Sequence, residues 1–204
     1  MLHFRFIPVL LSVLLMLGLT GCDDGGGEDN SAPRTVVTFG DSITSDYNYP
    51  GTPPWPEILQ AMRPEWTIIN RAAGSERIAT TRAKASRSIT EDTDVAVVMI
   101  GTVNAIFGDT GSYSSDLAEI IRIGKARGAK VVVCTIPPVS GSRIGLASTV
   151  DRINGLVRDT VSAEGATLVN IFGELNGSPE RFPDGLHPDL DGQRIIATAV
   201  KEKI

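Results

Sequence analysis

Histidine is scarce in this chain. The 204 residues hold two, His3 and His187, and cysteine is equally rare, with Cys22 and Cys134. One histidine and one cysteine beyond residue 33 cannot assemble a zinc site or a disulfide framework. Neither a metal nor an organic cofactor is expected. An excess of positive charge is also missing. Lys and Arg number 19 against 24 Asp and Glu, for a net charge of −5. Nothing resembles a basic stripe, which argues against nucleic acid as a partner and against charge-driven docking on anionic lipid headgroups. Long apolar runs are absent apart from residues 7–19, which are too short for a comfortable membrane span.

That apolar run belongs to a leader. Arg5 supplies a positive start, residues 7–19 an apolar centre, and Leu19-Thr20-Gly21-Cys22 an end of small residues and cysteine. The arrangement is that of a secretory signal over 1–21, and its last four residues resemble a bacterial lipobox. The resemblance implies cleavage before Cys22 and a diacylglycerol on its sulfur, which would hold the protein on a membrane surface. Asp23 and Asp24 then imply retention at the inner membrane of the cell envelope, facing the periplasm. Loss of the leader removes Arg5 and no acid, leaving 18 basic residues against 24 and a net charge of −6. Residues 22–33 are polar, glycine-rich and acidic, the composition of a flexible tether. The remaining 34–204 is the length of one domain, and it shows no internal repeat.

Within that domain, short apolar runs rich in β-branched residues recur at 35–39, 67–70, 95–100, 130–136 and 167–172. Continuous apolar character suits strands covered on both faces. Helix-like stretches alternate with them at 55–62, 76–89, 114–127, 149–163 and 190–203. The alternation predicts an α/β fold, a three-layer α/β/α sandwich around a five-stranded parallel, flavodoxin-like sheet. Sites in such sheets form beyond the carboxyl ends of the strands. Ser42, Gly74, 102–104 and Pro137 all fall there. Cys134, inside an apolar run with no second cysteine in the domain, reads as a core residue.

Gly40-Asp41-Ser42-Ile43 follows the first run, and Asp184-Gly185-Leu186-His187-Pro188 lies near the other end. A serine hydroxyl needs a base, and His187 is the imidazole the domain offers. Asp184, three residues earlier, can fix its tautomer and stabilise the imidazolium. The first block resembles the G-D-S-L motif of the GDSL, or SGNH, hydrolases. Further blocks fall in order across 35–200: Gly74 after strand two, Asn104 in Gly101-Thr102-Val103-Asn104, and the D-x-x-H pair. The resemblance implies the SGNH hydrolase fold, with Ser42 as nucleophile and His187 and Asp184 as base and orienter. The backbone N–H groups of Ser42 and Gly74 and the Asn104 amide would make an oxyanion hole. Asp41 is expected to hold the serine turn through loop amides.

The third block departs from the family pattern. Thr102 stands where glycine is usual, unless Gly101 takes that role with one residue inserted, and Ala105 stands where aspartate is usual. Altered support for Asn104 is expected. Tyr47, Tyr49, Trp55, Ile106 and Phe107 lie in segments expected to line an acyl pocket, with Trp55 better read as packing. No cap insertion is visible, so a shallow, open groove for small acyl-ester substrates is expected.

The function expected is hydrolysis of small or short-chain acyl esters through an acyl-serine intermediate. Carbohydrate O-acetyl esters, lysophospholipids and thioesters are alternative substrates for the same chemistry. Two other classes compete: a flavodoxin-like binding module using the hydroxyl-rich 38–44 loop, and a catalytically silent lipoprotein that binds glycan.

Overall fold

The computed structural model describes residues 32–45 and 51–204. His3, the leader with Cys22, the tether up to residue 31, and Tyr47 and Tyr49 lie outside the described residues.

Five parallel strands form the sheet: β1 (Thr35–Gly40), β2 (Thr67–Asn70), β3 (Val95–Met99), β4 (Lys130–Cys134) and β5 (Thr167–Val169). Their order is β2-β1-β3-β4-β5, the flavodoxin-like arrangement. Register runs Val36 beside Val95 and Val95 beside Lys130, so the carboxyl ends line up along one edge.

Each central strand buries both faces. Val37, Phe39, Ala96, Val98, Val131 and Val133 point into one core. Val36, Val95, Val97, Met99, Val132 and Cys134 point into the other. The first core is closed by α2 (Ile78–Ser88), α4 (Tyr113–Ala126) and α5 (Ala147–Glu164). The second is closed by α1 (Trp55–Met62), α6 (Ile171–Leu175) and α7 (Leu190–Lys201). Strand alternation thus places helices on both sides, because successive side chains leave opposite faces of a strand. Cys134 is fully buried, and desolvation pushes its thiol well above the ordinary value.

Four features differ from the sequence expectation. The fifth run stops as a strand at Val169, and residues 171–175 turn into α6. Asn170 is the reason: its side chain accepts the Gly173 N–H at 3.2 Å and caps the helix, while Phe172 N–H goes to Thr135 Oγ1. The third run ends at Met99, and a short helix, α3 (Thr102–Phe107), follows almost at once. The fourth ends at Cys134, since Asn154 on α5 takes over both backbone groups of Ile136, at 2.8 and 3.0 Å. Short 3-10 helices at Gly141–Leu146 and Pro179–Arg181 occupy stretches expected to be loop. At the amino-terminal side, the Trp66 indole donates to the Ala32 carbonyl at 3.0 Å, so domain contacts reach back to that residue.

Candidate active site

The nucleophile turn begins where β1 ends. The Asp41 carbonyl accepts N–H from Thr44 (3.1 Å) and Ser45 (3.0 Å), making a helical turn. Ile43 drives its side chain into the core, and Ser42 keeps 8% of its surface exposed. Asp41 is buried. One carboxylate oxygen accepts Ile43 N–H at 3.2 Å and the other accepts Thr102 N–H at 3.1 Å. Burial pushes its carboxyl above the ordinary value of 3.8, against the pull of these bonds.

The Asp184 carboxylate serves two purposes. Oδ1 accepts the N–H groups of Leu186 (2.9 Å) and His187 (2.7 Å), which folds the turn back on itself. Oδ2 meets His187 Nδ1 at 2.6 Å. Partial burial raises the Asp184 carboxyl, but bonds from the His187 ring and from these two backbone N–H groups outweigh it and hold the carboxyl below its ordinary value. An ionised carboxylate can only accept, so the ring carries its proton on Nδ1. Nε2 is then a bare acceptor, and it lies 2.8 Å from Ser42 Oγ.

Gly185 makes this turn possible. Its φ is 80°, and a Cβ there would stand 2.4 Å from the Ser140 carbonyl. Gly185 also accepts the Ser140 N–H at 2.9 Å, which docks the base turn on the loop after β4.

The structure therefore brings Ser42, His187 and Asp184 into one hydrogen-bonded line. Two further turns are tied to the end of β1 and the serine turn, one through Ala73 and one through Thr102. Ala73 N–H bonds the Gly40 carbonyl at 3.2 Å, laying the 72–74 turn beside the end of β1. The N–H groups of Ser42 and Gly74 have no acceptor among the described residues. Asn104 sits in the first turn of α3. Its side-chain Oδ1 accepts Ile78 N–H (3.1 Å), and its Nδ2 gives one hydrogen to the Asp109 carbonyl (3.0 Å) and leaves the other without an acceptor among the described residues.

Position 101 demands a glycine: its φ is 139°, and a Cβ would press to 3.0 Å on both Ile153 and Tyr113. Thr102 supplies the N–H that reaches Asp41. Ala105 is buried, and Asn104 is held by Ile78 and Asp109 instead.

Two supporting groups escaped the sequence reading. Glu76 is buried, accepting from Thr81 Oγ1 and pairing with Lys84, whose ammonium also reaches the Arg71 carbonyl. These bonds clamp the Gly74 turn, whose left-handed residue is Ser75 at φ 62°. The other is Gln193, fully buried on α7 in register with Ile196, Ala197 and Val200. A polar residue on an apolar stripe was the signal available.

Trp55 is fully buried, with its indole N–H on Thr44 Oγ1 at 3.2 Å. It is packing beneath the serine turn. A cavity of about 500 Å³ between α1 and β2 includes Glu57, Gln60 and Asn70 but none of the three aligned residues. Among the described residues no cluster of His, Cys, Asp and Glu could hold a metal ion, and no helix is long and apolar enough to cross a membrane.

Comparison with known proteins decides the family. The family model of the GDSL-like Lipase/Acylhydrolase family matches residues 38–195. The chain belongs to that family. This GDSL-family chain is accordingly a carboxylic ester hydrolase, not an electron carrier on a similar sheet. It is 25% identical over 205 residues to an arylesterase from Vibrio mimicus, covering 96% of each chain. Among solved structures, a lipase/acylhydrolase from Enterococcus faecalis superposes with a TM-score of 0.73 at 18% identity, covering 83% of this chain and 94% of that one. An acetyl xylan esterase from Geobacillus stearothermophilus gives 0.68 at 18% identity, over 84% and 95%. Both share the fold.

Proposed function

We propose that this GDSL-family enzyme hydrolyses small or short-chain acyl esters through an acyl-serine intermediate. The observation that carries the reading is the unbroken line from Asp184 Oδ2 through His187 to Ser42 Oγ, with contacts of 2.6 and 2.8 Å. Ser42 Oγ attacks the ester carbonyl as its proton passes to His187 Nε2. Asp184 stabilises the imidazolium without taking its proton. The carbonyl oxygen becomes an oxyanion facing the N–H groups of Ser42 and Gly74 and the free amide hydrogen of Asn104. Collapse expels the alcohol, which receives the proton from His187. Water then repeats the sequence on the acyl-serine, releasing the acid and restoring Ser42.

The rim supports an apolar acyl or aryl group. The large hydrophobic side chains most exposed among the described residues are Phe107 (64%), Ile144 (62%) and Ile106 (36%). All three lie in segments following β3 or β4, on the edge that carries Ser42. Exposed apolar groups confined to the reacting edge mark a binding surface.

The test is a panel of p-nitrophenyl esters of increasing acyl length, with acetylated xylan and lysophospholipid beside it. Short-chain turnover that disappears in Ser42→Ala supports the reading. Turnover by Ser42→Ala at the wild-type rate, or failure of a fluorophosphonate to label Ser42, overturns it.

The leader supports a lipid-anchored location at the envelope, through Cys22, with the domain facing the periplasm from the inner membrane. Mass spectrometry of the amino-terminal peptide tests this: a diacylglyceryl Cys22 is expected, and an unmodified Cys22 in mature protein refutes it.

A further inference from the structure

We propose that Gln193 is a positioning residue for the reaction, tying the nucleophile turn to the helix that follows the base. The inference rests on Ser42 being the nucleophile. Gln193 Nε2 donates to the Ile43 carbonyl at 3.2 Å, and its Oε1 accepts the Trp55 N–H at 2.9 Å. Ile43 is the residue after Ser42. Its N–H is held by Asp41 and its carbonyl by Gln193, so both peptide groups flanking Ile43 are fixed. Trp55, the second partner, carries the indole that reaches Thr44 in the same turn.

The placement of Gln193 along the chain gives the tie its purpose. Two residues separate His187 from α7, and Asp189 caps that helix through Gly192 N–H at 2.8 Å. Gln193 lies on the same first turn. The 2.8 Å contact between Ser42 and His187 therefore has both ends fastened to one helix: the base through the Pro188-Asp189 link, the nucleophile through Gln193. A carboxamide in an apolar helix stripe is costly unless bonded. Two of its bonds fall on the serine turn and on the first residue of α1, whereas an apolar side chain would have filled the space without orienting either.

The test compares Gln193→Met and the milder Gln193→Asn in the whole enzyme, with Ile121→Ala as a control. Ile121 is buried on α4, in the core on the opposite face of the sheet. All are assayed on p-nitrophenyl acetate well below their melting temperatures, along with the rate at which a fluorophosphonate labels Ser42. The expected result for Gln193→Met is a kcat lower by about ten- to a hundredfold with KM within about twofold, and a parallel loss of labelling rate. Gln193→Asn shows the same split at smaller size and keeps the comparison open if the Met variant does not fold. Ile121→Ala loses melting temperature but keeps kcat. Gln193 variants that track the control, in an assay where Ser42→Ala is dead, overturn the proposal alone. An active Ser42→Ala overturns the reading beneath it.

Discussion

The Asp41 carboxylate accepts the Thr102 N–H at 3.1 Å, joining two turns that lie 61 residues apart in the chain. One turn carries Ser42 and the other leads to Asn104. Asp41 thus ties the turn of the proposed nucleophile to the turn of one proposed oxyanion donor. In Asp41→Asn one of the two N–H groups, from Ile43 or Thr102, must face an amino group. The expected outcome is a kcat lower by about ten- to a hundredfold with little change in KM. Steady-state kinetics on p-nitrophenyl acetate checks it.

The same residue predicts a pH effect on stability. The folded-state pKa of Asp41 is raised above 3.8 by burial. Above 3.8 the unfolded chain has lost this proton while the native state still holds it, so rising pH weakens the fold through that window. Wild type minus Asp41→Asn unfolding free energy, measured in urea, should fall as pH climbs from below 3.8 toward neutrality. A difference that stays flat contradicts the burial of the charge.

Asp184 has the opposite sign. Its pKa is lowered below 3.8, so its contribution is fully present above that value and is lost as pH drops through the lowered one. Asp184→Asn should reduce kcat by about a hundred- to ten-thousandfold, because Asn can offer a hydrogen to Nδ1 and favour the wrong tautomer. Its stability deficit relative to wild type should vanish in strong acid, which urea titration at several pH values would detect.

Gly185→Ala places a Cβ 2.4 Å from the Ser140 carbonyl at a φ of 80°. The backbone conformation alone costs about 1–2 kcal/mol, and the clash displaces the base turn from the loop after β4. Loss of activity should exceed loss of stability, because His187 moves with the turn. Equal kcat in the variant, by the same ester assay, would show that the turn tolerates the shift.

Phe107 and Ile144 stand exposed on the rim. Phe107→Ala and Ile144→Ala should leave the melting temperature within about a degree or two, since neither fills a core. Each should raise KM for a butyrate or hexanoate ester more than for acetate. Removing part of an apolar contact weakens binding by about 1–3 kcal/mol at most, so a several-fold change in preference is the scale to look for.

The five strands and the helices on both faces were legible because continuous apolar runs must be covered on each side. The approach of Asp184 to His187 was legible too, since a three-residue spacing closes locally. The fifth strand was misjudged beyond Val169 because Ile171 and Phe172 continue the apolar run, and Asn170 reads equally well as strand end or helix cap. Helix α3 was hidden because residues 102–107 give too short a stretch to show a period. Gln193 was missed because its partners, Ile43 and Trp55, lie 150 and 138 residues away, and no local pattern announces a contact at that distance. Glu76 sits before α2 and looks like ordinary surface charge until its burial is seen.

The order of parts along the chain has a consequence for biosynthesis. Ser42 emerges from the ribosome early, whereas His187 follows 145 residues later, together with the helix that steadies it. A growing polypeptide carries a hydroxyl with no imidazole beside it until residue 187 has followed. Under the proposed mechanism, copies cut short before that residue are inert toward esters.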